Sequence, residues 1–150
     1  MTELNDTAGL ILQQKTDMIW SVTPETSVFD ALTLMAEKNI GALPVMADGV
    51  LLGLVSERDY ARKVILMGRS SRDTEVTEIM MTPPVTVTRN ATVGDCMQMM
   101  TSARVRHLPV MDGTRLAGIV SIGDLVNWII HRQAETIQHL HAYISGSYPA

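Results

Sequence analysis

Two short stretches decide how this chain is read: LVSERDY, Leu54 to Tyr60, and IVSIGDL, Ile119 to Leu125. Each closes a β-branched run with Ser-x-x-Asp. The spacing suits a helix start, where a hydroxyl caps an unpaired N–H and an acid three residues on faces the positive end of the helix. It equally suits a pair of ligand contacts. A cap uses the Ser oxygen and one Asp oxygen, whereas an ionised carboxylate offers roughly four acceptor sites.

Asp59 and Asp124 stand 65 residues apart, and the whole chain repeats at that offset. Val22-Thr23 falls on Val87-Thr88, Val28 on Val93 and Asp30 on Asp95. Leu43-Pro44-Val45-Met46 falls on Leu108-Pro109-Val110-Met111. Gly53, Val55, Ser56 and Asp59 fall on Gly118, Val120, Ser121 and Asp124. About a third of the compared positions are identical without a gap. Such self-similarity marks a duplicated structural unit.

Each copy carries the same local pattern. Short extended segments, Met18–Thr23 and Val85–Thr88, come first. Helices follow, with Val28, Ala31, Leu32, Met35 and Ala36 at helical spacing in one copy and Val93, Cys96, Met97 and Met100 in the other. Ser27-x-x-Asp30 and Thr92-x-x-Asp95 start them. Paired β-rich runs come next, Ala42–Met46 with Leu51–Ser56 and Leu108–Met111 with Leu116–Ser121. Asp48-Gly49 and Asp112-Gly113 supply the turns. A second helix begins near Ser56 and near Ser121. A lone unit of roughly 50 residues is marginal. The pattern therefore predicts an α/β fold of two pseudo-twofold-related β-α-β-β-α units packed sheet to sheet. The boundaries read 10–66 for the first unit, 67–77 for a polar, exposed linker, 78–132 for the second unit and 133–150 for a C-terminal helix and tail. Ile130, Ile137, Leu140 and Ile144 form an apolar stripe on that helix, which Gly146, Ser147 and Pro149 end.

Composition narrows the function. Hydrophobic residues make up 46% of the chain and aromatic residues only 4%, so the core is aliphatic and Met-rich. The net charge of −4 and the lack of a clustered basic face argue against nucleic acid as partner. No apolar run reaches membrane-spanning length. The single thiol, Cys96, on the apolar face of a helix, reads as a buried structural cysteine. The opening MTELNDTAG is acidic and polar and lacks the basic-then-apolar pattern expected of a signal peptide. These features predict a soluble cytoplasmic protein. His139 and His141 lie two apart on a helix and make no metal pair. No nucleophile with an adjacent base is recognisable, so no catalytic residue is assigned.

The doubled combination ALPVM…GLVSERD and HLPVM…AGIVSIGD, over roughly residues 10–132, resembles cystathionine-β-synthase (CBS) domains occurring as a tandem pair, the Bateman module. The SERDYARKVILMGRSS stretch and the YISG tail are similar to stand-alone CBS-pair proteins. The resemblance implies a non-catalytic regulatory module that binds adenosine-containing ligands in clefts between the units: AMP, ADP, ATP, NAD(H) or S-adenosylmethionine. It implies ribose contacts at Asp59 and Asp124, with Ser56 and Ser121 beside them. It implies phosphate contacts at Arg58, Arg106, His107 and Lys15, and adenine lining near Val85 and Ile19. The nucleotide is a regulatory ligand rather than a catalytic cofactor. A homodimer of CBS pairs and an effector protein that receives the signal are also implied. Arg58 precedes Asp59, whereas Gly123 precedes Asp124. Arg106-His107 precedes the second Leu-Pro, whereas Gly41-Ala42 precedes the first. The two sites are therefore expected to be non-equivalent. A ligand-free dimerisation scaffold, with Ser-x-x-Asp as caps alone, is the alternative, and a nucleotide-processing enzyme is the more remote one.

Overall fold

The computed structural model describes residues 2–15 and 18–144. Its elements are helix α1 (Ala8–Gln14), α2 (Val28–Lys38), strands β1 (Ala42–Ala47) and β2 (Val50–Ser56), α3 (Glu57–Tyr60), β3 (Val87–Thr88), α4 (Val93–Ala103), β4 (His107–Asp112), β5 (Arg115–Ser121) and α5 (Ile122–Ile144). Two compact units result. An N-repeat unit comprises residues 17–86 and 111–117. A C-repeat unit comprises residues 1–16, 87–110 and 118–150.

In the N-repeat unit, α2 starts where Ser27 Oγ accepts from Asp30 N at 3.1 Å. It ends at Asn39 in the left-handed region, a conformation asparagine tolerates better than most residues. Strands β1 and β2 pair antiparallel with a bulge between Val45 and Met46. The Asp48-Gly49 turn has both φ angles positive, 52° and 77°, which matches the right-handed twist of a two-residue hairpin. Among the described residues, the extended segment predicted over Met18–Thr23 pairs only at Val22, a parallel bridge to Val45. Val28, Ala31 and Met35 of α2 join Leu43, Val45, Val55 and Val64 in a buried cluster.

The predicted linker departs from expectation. Instead of lying exposed throughout, residues 67–77 carry buried Thr74 and Val76. Val28 N donates to Thr74 O, Phe29 N to Ser71 O and Val76 N to Thr26 O. The free N–H groups at the start of α2 and its flank are satisfied by this segment's carbonyls, and Val76 completes the core beneath. Polar composition hid this, because the backbone makes most of the bonds.

In the C-repeat unit the sheet order is β3-β4-β5. Thr92 and Asp95 form a reciprocal capping box at the start of α4. Val93, Cys96, Met100, Leu108, Val110, Val120 and Leu125 are buried, together with Ala8 and Ile11 of α1. Helix α1 thus belongs with the second repeat although it precedes the first. The predicted helix after Ser121 runs unbroken through α5. Its stripe residues Ile130, Ile137 and Leu140 are more than half exposed. The side chain of Ile144 and the residues Gly146, Ser147 and Pro149 lie outside the described residues. No helix among the described residues is long and apolar enough to cross a membrane.

Candidate functional site

Both Ser-x-x-Asp motifs sit at a strand-to-helix turn, and the two turns are built alike. Ser56 N donates to Asp59 Oδ2 at 2.9 Å, and Asp59 N donates to Ser56 Oγ at 3.2 Å. The matching bonds at Ser121 and Asp124 are 2.8 and 3.1 Å. The first helical N–H of each following helix donates back to the residue before the Leu-Pro strand: Glu57 N to Gly41 O and Ile122 N to Arg106 O. The motif is therefore a helix cap in both copies.

A cap alone does not make a site, since Ser27–Asp30 and Thr92–Asp95 are caps of the same composition. What separates Asp59 and Asp124 is a lysine against each carboxylate. Lys15 Nζ lies 2.9 Å from Asp124 Oδ2 and donates to Ile119 O at 3.0 Å. Lys63 Nζ lies 3.4 Å from Asp59 Oδ1 and donates to Ile79 O at 2.9 Å. At the 65-residue offset Lys15 falls on Met80 and Lys63 on Trp128, so the two lysines come from unrelated positions. Lys63 belongs to a π-helical turn, Ala61–Ile65, that continues α3. The sequence reading missed it, although a lysine four residues after an acid on one helix is a recognisable pair.

The expected site residues sort by unit. Lys15, Arg106, His107, Ser121 and Asp124 belong to the C-repeat unit, and Ile19, Ser56, Arg58, Asp59 and Val85 to the N-repeat unit. Arg58 and Arg106 are exposed, as is Ile19, while Val85 is half-buried. His107 opens β4 and is half-buried. Burial lowers its pKa from 6.5, Lys15 and Arg106 push in the same direction, and Asp124 opposes them. His107 is therefore predominantly neutral at pH 7 and is a one-proton donor rather than a standing cation.

That depression has a stability consequence. The unfolded imidazole takes up its proton near 6.5 while the folded one resists it. Stability is thus lost as pH falls through 6.5, down to the folded pKa. His107→Gln is expected to gain stability relative to the parent between pH 7.5 and 5.5, measured by urea unfolding at both values. An unchanged difference between the two proteins would show that His107 is not held neutral.

Beyond Lys15 and Asp124 the C-repeat unit opens a cavity of about 630 Å³. Leu10 and Ile11 of α1 line one wall, and Trp128, Arg132 and Glu135 of α5 line the other. Asp6 Oδ2 accepts from Trp128 Nε1 at 2.8 Å and from Arg132 Nε at 3.2 Å. Sequence reasoning assigned none of these residues. Their one legible signal is the spacing of Asp124, Trp128 and Arg132, which puts all three on one face of α5. Among the described residues no three His, Cys, Asp or Glu side chains converge as metal ligands.

The family profile "CBS domain" matches residues 15–65 and 76–131. The CBS domain-containing protein CBSX3, mitochondrial, of Arabidopsis thaliana is 44% identical over 135 residues, covering 87% of this chain and 65% of that protein. The present chain thus spans just under two thirds of that relative. A CBS-domain protein of Burkholderia ambifaria MC40-6, described as a candidate signal-transduction protein, has a solved structure. It is 47% identical, covers 85% of this chain and 96% of its own, and superposes with a TM-score of 0.81. A hexameric CBS-CP12 protein from bloom-forming cyanobacteria is 30% identical over 80% of this chain and 70% of its own, with a TM-score of 0.72. With two matched profiles, a duplicated strand-to-helix cap and these structural relatives, the chain belongs to the CBS-domain family and carries a CBS pair.

Proposed function

We propose that this CBS pair is a non-catalytic sensor of adenosine-containing ligands that passes its state to an effector protein. One observation carries the reading: Asp59 and Asp124, the acids of the two strand-to-helix turns, are each faced by a lysine. A carboxylate accepts from the 2′ and 3′ ribose hydroxyls, and an ammonium beside it meets the 5′-phosphate of the same nucleotide. Ser121 and Asp124 would hold ribose with Lys15 and His107 toward phosphate, and Ser56 and Asp59 would do so with Lys63. Exposed Arg58 and Arg106 would add positive charge, and Val85 and Ile19 would supply apolar lining. AMP, ADP, ATP, NAD(H) and S-adenosylmethionine share the recognised ribose. Binding would act by population shift, favouring one conformational state. A homodimer completes the reading, supported by the exposed Ile130, Ile137 and Leu140 stripe on α5, an apolar face of the kind that marks interfaces. The buried thiol Cys96 fits a reducing, cytoplasmic setting.

Thermal unfolding of nucleotide-free protein against these ligands tests the proposal. A ligand at 100 times its dissociation constant adds about 2.7 kcal/mol, a rise of roughly 5–10 °C for a chain of this size. No shift with any ligand would return Ser-x-x-Asp to capping alone and leave a dimerisation scaffold.

A further inference from the structure

The groove of the C-repeat unit continues along α5 past the Lys15–Asp124 pair. Asp124, Trp128 and Arg132 recur every four residues along α5, a run of about 12 Å at 1.5 Å per residue. The volume, about 630 Å³, falls within the range of ordinary small-molecule sites.

The groups along it change character in order. Asp124 and Lys15 stand at one end, 2.9 Å apart. Next comes the half-buried Trp128, with the apolar wall of Leu10 and Ile11 also lining the groove. Beyond lies the guanidinium of Arg132. Asp6 fixes the last two at once, accepting from the indole N–H and from Nε. With its N–H satisfied, the indole has only its ring to offer a ligand, a surface for flat groups. Arg132 Nη1 is taken by Glu135 at 3.3 Å, while Nη2 carries two further donors.

We infer, building on the nucleotide reading above, that the C-repeat site is specific for a dinucleotide. Its adenosine ribose is held by Asp124, its bridging phosphates by Lys15, and its second base by Trp128 and Arg132. Charge favours this over a nucleoside triphosphate. Both cations of the groove already have carboxylate partners, Lys15 in Asp124 and Arg132 in Asp6 and Glu135, so a polyphosphate tail running along it meets charge that is compensated. A flat, uncharged or cationic base suits the same surroundings and the ring. At the equivalent positions the N-repeat unit differs. At the 65-residue offset Trp128 falls on Lys63 and Arg132 on the exposed Met67. The N-repeat site thus has a lysine where the C-repeat site has its ring.

Isothermal titration of the full chain, shown free of co-purified nucleotide, with NAD, AMP and ATP separates the outcomes. NAD is expected to bind about tenfold more tightly than AMP, the worth of one stacked ring or charged contact. The NAD-to-AMP affinity ratio is expected to fall to near one in Trp128→Leu. Arg132→Gln, which keeps a good helix former at that position, serves as the second variant if the first folds poorly, and it should lower the ratio severalfold. Equal affinities for NAD and AMP in the parent, tighter binding of ATP than NAD, or a ratio unmoved by both substitutions would overturn the dinucleotide assignment and leave the nucleotide reading standing. No binding of any of the three, AMP included, would overturn both.

Discussion

Asp124→Asn is expected to lower nucleotide affinity at the C-repeat site by about a hundredfold, since two ribose hydroxyls would each lose a hydrogen bond to a charged acceptor. The asparagine keeps the shape of the side chain and one carbonyl oxygen for Ser121 N, which the carboxylate now accepts at 2.8 Å. The cap therefore survives in part. What goes is the negative charge that holds Lys15 and accepts from ribose. Folding stability should fall by only about 1 kcal/mol, the scale of a half-exposed ion pair plus a weakened cap. Asp59→Asn makes the same test of the N-repeat site. Asp95→Asn is the control: Asp95 caps α4 through the same reciprocal box with Thr92, so it should cost similar stability and leave nucleotide binding unchanged. Calorimetric titration and urea unfolding of all three variants measure both quantities. If Asp124→Asn and Asp59→Asn behave like Asp95→Asn, the carboxylates are caps and nothing more.

Gly53→Ala should destabilise the protein by about 3 kcal/mol, from overpacking and the loss of a backbone hydrogen bond or two. A Cβ at Gly53 would stand 2.6 Å from Met81 O and 2.8 Å from Met80 Sδ. The nearer obstacle is backbone. Leu54 and Met81 exchange both of their N–H···O bonds, at 3.1 and 2.9 Å, so relief of the clash must pull that bridge apart. Gly118, at the equivalent position in the other repeat, gives a contrasting case. Its added Cβ would meet Leu12 Cδ2 at 2.7 Å, the far end of a side chain that can turn away. Gly118→Ala should cost about 1 kcal/mol, toward the mild end for overpacking. Urea midpoints of the two variants would show the asymmetry. Equal losses would mean that the Met80–Met81 segment yields as readily as a leucine rotamer.

The sequence by itself determined whatever is local or doubled. The 65-residue repeat, the hydroxyl–acid caps at Ser27, Ser56, Thr92 and Ser121, the Asp48-Gly49 hairpin and the burial of Cys96 were all legible. Each rests on interactions within about four residues of chain, or on an alternation that sheet pairing imposes. Lys63 was legible by the same rule and was missed. Tertiary structure alone decided the rest. Lys15 reaches Asp124 across 109 positions, and Asp6 reaches Trp128 across 122, separations over which residue identity carries no spacing signal. The polar linker is packed because backbone carbonyls near Ser71 and Thr74 satisfy helix α2, and side-chain composition does not record backbone bonds. The non-equivalence of the two sites was visible as an unequal sequence, but its form was not. Only the fold shows that each carboxylate has its lysine, supplied from within its helix in one unit and from a segment far along the chain in the other.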